Sequence, residues 1–194
     1  MPNNHIENKT PAETTDTQKL RTYFQDVDEQ TVKVLAEMYG QLVPPERLES
    51  MANHPTQFET PENFVENYRA QFGEKPEPGV VGYTERGHPA HVSTEDMAGV
   101  PETVVHERLH QLADPRAERI LGKKLCEGIT EDLAIETSGQ EPGPDDSVAY
   151  PEGRSSAQVL RKTVGDDAVE EAYFQGDTSK ITARLGGSPE DLKT

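Results

Sequence analysis

Pro101-Glu102-Thr103-Val104-Val105-His106-Glu107-Arg108-Leu109-His110-Gln111-Leu112 reads as one helix. Pro101 suits a first turn, where its missing N–H is no loss, and Asp114-Pro115 closes the segment from the other side. Val104, Val105, Leu109 and Leu112 surround two histidines and a glutamate with apolar residues, so the helix is at least partly buried. Burying such groups without partners is costly. His106 and His110 are four residues apart and share one helical face, so both imidazoles can reach one metal ion from successive turns. Glu107 is one residue further round. Its carboxylate falls beside the metal rather than on it, where a base would take a proton from water activated by zinc. The competing reading is an accidental H-E-x-x-H on a surface helix, with Glu107 paired to a neighbouring arginine.

A catalytic zinc needs a third protein ligand and an open position. Of six histidines, His5 and His54 lie far upstream, His88 and His91 sit in a turn-and-strand segment, and none follows His110. The third ligand is therefore expected to be a carboxylate. Cys126-Glu127-Gly128-Ile129-Thr130-Glu131-Asp132 offers three within a predicted helix over about 125–136. There Leu125, Ile129 and Leu133 form an apolar row, and Glu127 and Glu131 an acidic one. Asp132 lies about 100° round from Glu131 and is off that row. Asp114 and Glu118 are further candidates; Asp114 follows His110 so closely that it would have to fold back. Spacing does not separate Glu127 from Glu131. A place near the helix start, where the dipole favours a carboxylate, favours Glu127. The alternative is that this row is a solvated acidic face.

Working outward, residues 1–17 lack periodicity and read as a disordered tail. From Gln18, Leu20, Tyr23, Phe24, Val32, Val34, Leu35, Met38 and Leu42 recur at roughly helical spacing until Pro44-Pro45, where Pro45 can open a short helix. Thr60 and Pro61 make an N-cap and first position for a helix to Phe72 that Gly73 ends. These form a small helical unit, 18–73. After a linker, Val80–Tyr83 and Ala90–Ser93 read as strands around the turn 85–89, a hairpin at the edge of a small sheet. A Gly-, Pro- and Asp-rich loop over 139–147 and helices near 155–164 and 167–174 complete a main unit, 78–194. The fold class is α+β, mostly helical.

The 194 residues carry a formal charge of −17, with 32% hydrophobic residues and no tryptophan. Such a surface repels phosphate backbones, and Lys123-Lys124 is no basic patch, so no nucleic acid is expected as partner. No apolar run approaches about 18 residues, so no membrane is expected either. The first residues contain no apolar core of a signal peptide; the expectation is a cytoplasmic protein, or one exported by a non-classical route. The single cysteine, Cys126, excludes an internal disulfide and a multi-cysteine zinc site.

HERLH at 106–110 followed by EGITE at 127–131 resembles the gluzincin metallopeptidases, the thermolysin-like and aminopeptidase-like zincins. VVGYTERGHPAHVS at 80–93 is similar to the strand that borders their substrate cleft, and the likeness extends to Tyr150 and to 172–177. The resemblance spans roughly 78–177. It implies a zincin-like catalytic domain acting on a peptide or protein substrate. It implies His106, His110 and Glu127 as zinc ligands, Glu107 as general base, and Glu131 as the carboxylate holding a ligand histidine. With no histidine downstream, Tyr150 is the residue expected to stabilise an oxyanion, as tyrosines do in some relatives. The alternative function is a non-enzymatic, acidic, helical interaction module whose H-E-x-x-H is structural or accidental.

Overall fold

A computed structural model of the chain describes residues 11–139 and 150–186. Among these residues helices predominate. The order is α1 (Pro11–Tyr39), α2 (Pro45–Asn53), β1 (Gln57–Glu59), α3 (Pro61–Phe72), β2 (Gly82–Thr84), β3 (Ala90–Ser93), α4 (Val100–Leu112), α5 (Ala117–Leu121), α6 (Lys123–Ser138), α7 (Pro151–Val164), α8 (Asp166–Gln175) and α9 (Ser179–Leu185). The chain is α+β and mostly helical, with one three-stranded sheet. No described helix is long and apolar enough to cross a membrane.

Local chemistry sets several boundaries where the sequence places them. Thr60 accepts a hydrogen bond from the Asn63 N–H at the start of α3, Pro61 follows, and Gly73 ends the helix at φ 79°. Other boundaries move. Residues 11–17, expected to belong to a tail, are the first turns of α1; their Thr, Glu and Asp carry no apolar period that could mark a start. Helix α6 begins at Lys123, which puts Glu127 in its second turn rather than at its start. The strand expected at Val80–Tyr83 is Gly82–Thr84, because the Val80 N–H turns back to the Glu77 carbonyl. The loop expected at 139–147 lies, beyond Gly139, outside the described residues.

The sheet order is β1-β3-β2, with β3 parallel to β1 and antiparallel to β2. The expected hairpin is therefore β2–β3, and β2 is an edge strand. Strand β1 has no signature in the sequence: it is three residues long with one buried position.

Helix α4 is the hub. Nine of its thirteen residues are buried, and it packs on α1, α2, β2, β3 and α6. Leu109 and Leu112 join Leu35, Tyr39 and Met51 from the first helices and Ile129, Leu133, Tyr173 and Phe174 from the later ones in a single core. The helices of 18–73 and those of 78–194 thus share one interior. Arg108, fully buried within H-E-R-L-H, ties α4 to the first helices. It forks onto Asp28 at 2.6 and 2.7 Å and donates to the carbonyls of Met51 and His54 and to Gln111 Oε1. Gln111 in turn donates to the His88 carbonyl in the β2–β3 turn. Helices α6 and α7 meet at Gly128 and Gly153, where a Cβ on Gly128 would fall inside the Gly153 carbonyl group. This backbone contact seats the start of α7 on α6, and Tyr150, just before α7, lies beside His106 of α4.

Candidate metal centre

Helices α4 and α6 run antiparallel across the site, since His106 faces Glu131 while His110, one turn on, faces Glu127, one turn back. The acidic row therefore meets the histidine face directly. His110 Nε2 lies 3.2 Å from His106 Nε2 and 3.1 Å from Glu127 Oε2, and His106 Nε2 lies 3.5 Å from the same oxygen. Among the described residues, this is the one group of three that could hold a metal ion. Tetrahedral zinc bonded at about 2.0–2.2 Å separates its ligand atoms by roughly 3.3–3.6 Å, close to the triangle seen. Two imidazole nitrogens and one carboxylate oxygen are also a donor set that zinc accepts. Glu131 Oε2 accepts from His106 Nδ1 at 3.1 Å, which fixes the ring and turns Nε2 toward the other two atoms.

The other carboxylates have different partners. Asp132 accepts from Gln158 and Arg161 of α7 at 3.0 and 2.8 Å. Asp114 accepts from the Arg116 guanidinium at 2.9 Å, and Glu118 stands on the cleft wall outside the group of three. His91 bonds Glu59 at 2.7 Å and His54 reaches the Ser50 carbonyl. His5 lies outside the described residues.

The cleft over this triangle has a volume of about 720 Å³ and is bordered by β2, by the end of α3 and by Tyr150. Glu107 opens onto it yet is buried. Among the described residues it accepts no hydrogen bond, so the arginine partner that the competing reading gives it is not seen there; Arg108 turns to Asp28. Burial raises the Glu107 pKa, with the charges of His106 and His110 opposing and that of Glu127 adding. Burial works against a charge on His106, but hydrogen bonds to Glu127 and Glu131 outweigh it and push its pKa up to about 10. Burial likewise works against the Glu127 charge, and the two histidines hold it well below the usual carboxylate range.

Comparison with protein families, with curated proteins and with solved structures finds no match. The site stands on its own geometry.

Tyr150 stacks over His106, ring centres 6.0 Å apart and 18° between planes. It is the one non-glycine residue at positive φ among the described residues, at φ 54° and ψ 48°. A bulky residue adopts this conformation at a cost. Burial and the carboxylates of Glu127, Glu107 and Glu131 push its pKa up to about 12, so the hydroxyl keeps its proton near neutral pH.

The segment 80–93 is expected along the cleft, and β2 does line it; what sequence reasoning did not find is the aromatic group on that wall. Tyr68, Phe72 and Tyr83 line the cleft as one aromatic group, with ring centres 4.5–5.5 Å apart. The signal was the i,i+4 pair Tyr68 and Phe72, which on sequence alone marks no more than a helix face.

Proposed function

We propose that this chain is a zinc-dependent peptide hydrolase of zincin-like organisation. The observation that carries the proposal is the triangle of His106 Nε2, His110 Nε2 and Glu127 Oε2, 3.1–3.5 Å on a side, with the Glu107 carboxylate, which accepts no hydrogen bond among the described residues, beside it in an open cleft. Zinc supplies Lewis acidity to such a site, lowering the pKa of water to about 7 and polarising a carbonyl.

The chain's own residues supply the rest. Glu107 accepts a proton from water as the water oxygen bonds to the peptide carbon. As the C–N bond breaks, the same carboxyl returns that proton to the departing nitrogen. Tyr150, kept protonated, donates a hydrogen bond to the carbonyl oxygen as negative charge develops there. Strand β2 borders the cleft at the sheet edge, so an extended peptide can pair with its backbone across the site.

Zinc titration followed by an assay on fluorescein-labelled casein tests the proposal. One tight zinc per chain, with casein cleavage that chelator removes and zinc restores, supports it. No tight zinc binding, with a melting temperature indifferent to chelator, leaves the acidic interaction module instead.

The two acidic roles predict different variants. Glu127→Ala removes one side of the triangle and is expected to lose nearly all zinc affinity and activity. Glu131→Ala leaves the triangle whole but frees the His106 ring, and is expected to weaken zinc binding by roughly 10–100-fold. The reverse ranking in zinc titrations would move the ligand role to Glu131. Tyr150→Phe keeps the ring over His106 and removes one donor. It is expected to lower kcat by about 100-fold with zinc affinity unchanged; an unchanged kcat would remove Tyr150 from the reaction.

A further inference from the structure

We propose that Gly82 is the positioning residue for the Glu107 carboxylate, an inference that rests on the role given to Glu107 above. Gly82 opens the edge strand β2, pairs with Val92 of β3, and faces α4. A Cβ built on it would lie 2.7 Å from Glu107 Oε1, 2.9 Å from Glu107 Cγ and 2.7 Å from Thr103 Cγ2. Carbon does not approach other heavy atoms so closely without displacement. Gly82 is not among the glycines held at positive φ, so its backbone conformation is open to any residue. Glycine is needed here for space, not for a turn.

The space matters because of how Glu107 is held. Glu131 is bonded to His106 and Glu127 to both histidines, but the Glu107 carboxylate accepts no hydrogen bond among the described residues. Its place is set by packing: the β2 backbone at Gly82 forms one wall, and Thr103, one turn back on α4, stands beside it. Of the atoms a side chain at 82 would meet, the carboxylate is the end of a flexible chain and yields most easily. It would swing along the cleft, away from its place beside the triangle. None of the three ligand atoms, and no atom of Glu131, lies among those nearest to that Cβ. Enlarging Gly82 therefore separates two properties that a general loss of structure would spoil together: the ion site stays intact while the base is displaced.

The test begins with a double-mutant cycle that does not depend on metal or on turnover. The background is Thr103→Ser, which keeps the hydroxyl bond from residue 103 to the Gly99 carbonyl and deletes the other close carbon. Gly82→Ala, Glu107→Ala and the pair are melted without metal. With Glu107 present, Gly82→Ala is expected to lower the melting temperature by roughly 2–12 °C, the effect of overpacking a closed site. With alanine at 107 the same change is expected to cost little. Equal effects in the two backgrounds would overturn the proposal, because the crowding would then not involve Glu107. A protein that folds with Gly82→Ala only when residue 107 is alanine shows the same coupling at its limit.

The second readout uses the otherwise unchanged, zinc-loaded protein. Gly82→Ala is expected to leave the zinc dissociation constant unchanged, leave KM for labelled casein unchanged, and lower kcat by about 100-fold, as a displacement near 1 Å does. An unchanged kcat overturns the positioning role, and so does a parallel loss of zinc and turnover. If the unmodified protein leaves casein intact, the hydrolase reading fails by itself, while the melting cycle still decides whether Gly82 places the Glu107 carboxylate.

Discussion

Glu107→Gln is expected to bind zinc with wild-type affinity and to lose hydrolysis by about 100- to 10,000-fold, the range for removing a general base. Glutamine keeps the shape that fits against Gly82 and Thr103, so packing is preserved. The ligand atoms of His106, His110 and Glu127 are untouched. What the amide lacks is the ability to take a proton from water and return it to nitrogen. The variant also controls for stability. Burial raises the Glu107 pKa, so in the metal-free protein its ionised form costs stability as pH rises through that raised value. A neutral amide removes this cost, and the variant is expected to melt no lower than the parent at neutral pH. Zinc-loaded Glu107→Gln that turns over casein like the parent would show that Glu107 is not the base.

Arg108→Met is expected to be the most destabilising single change in the motif. It removes the fork onto Asp28 and the bonds to the Met51 and His54 carbonyls in one step, and leaves the Asp28 carboxylate buried beside an apolar chain. Breaking one partner of a buried ion pair costs about 3–5 kcal/mol. For a chain of this size that corresponds to a fall of roughly 6–20 °C in melting temperature. The companion Asp28→Leu/Arg108→Met removes both charges and is expected to lose less than Arg108→Met, because no lone charge stays buried. Thr56 is the part that would still lose, since its hydroxyl and N–H both donate to Asp28. Thermal melts of the two variants check this; a single variant that melts like the parent would mean the fork carries little of the fold.

These two cases mark where the sequence is legible. His106, Glu107 and His110 are readable because their relation is local: one helix and a four-residue spacing. Glu127 and Glu131 are readable as a row for the same reason. Which of them faces His110 depends on the antiparallel packing of α4 and α6, which no spacing contains. The helix-start argument for Glu127 loses its force because α6 begins at Lys123; packing, not the dipole, brings Glu127 to the triangle. Thr60, Pro61 and Gly73 mark α3 by capping chemistry alone. Strand β1 is hidden because three residues with one buried position carry no period. The competing reading pairs Glu107 with a neighbouring arginine; the nearest one, Arg108, instead reaches Asp28, 80 residues away, a partner no spacing reveals. Gly82 gave no sign because its backbone is ordinary and its crowding comes from another element.

The central claim is that the triangle of His106, His110 and Glu127 holds zinc. The most direct measurement is anomalous scattering at the zinc edge from crystals grown with one equivalent of zinc. The expected result is a single peak about 2.0–2.2 Å from His106 Nε2, His110 Nε2 and a Glu127 carboxylate oxygen, with Glu107 beside it and not bonded to it. A zinc peak bound elsewhere, or none at this triangle while the protein crystallises in the same fold, would contradict it.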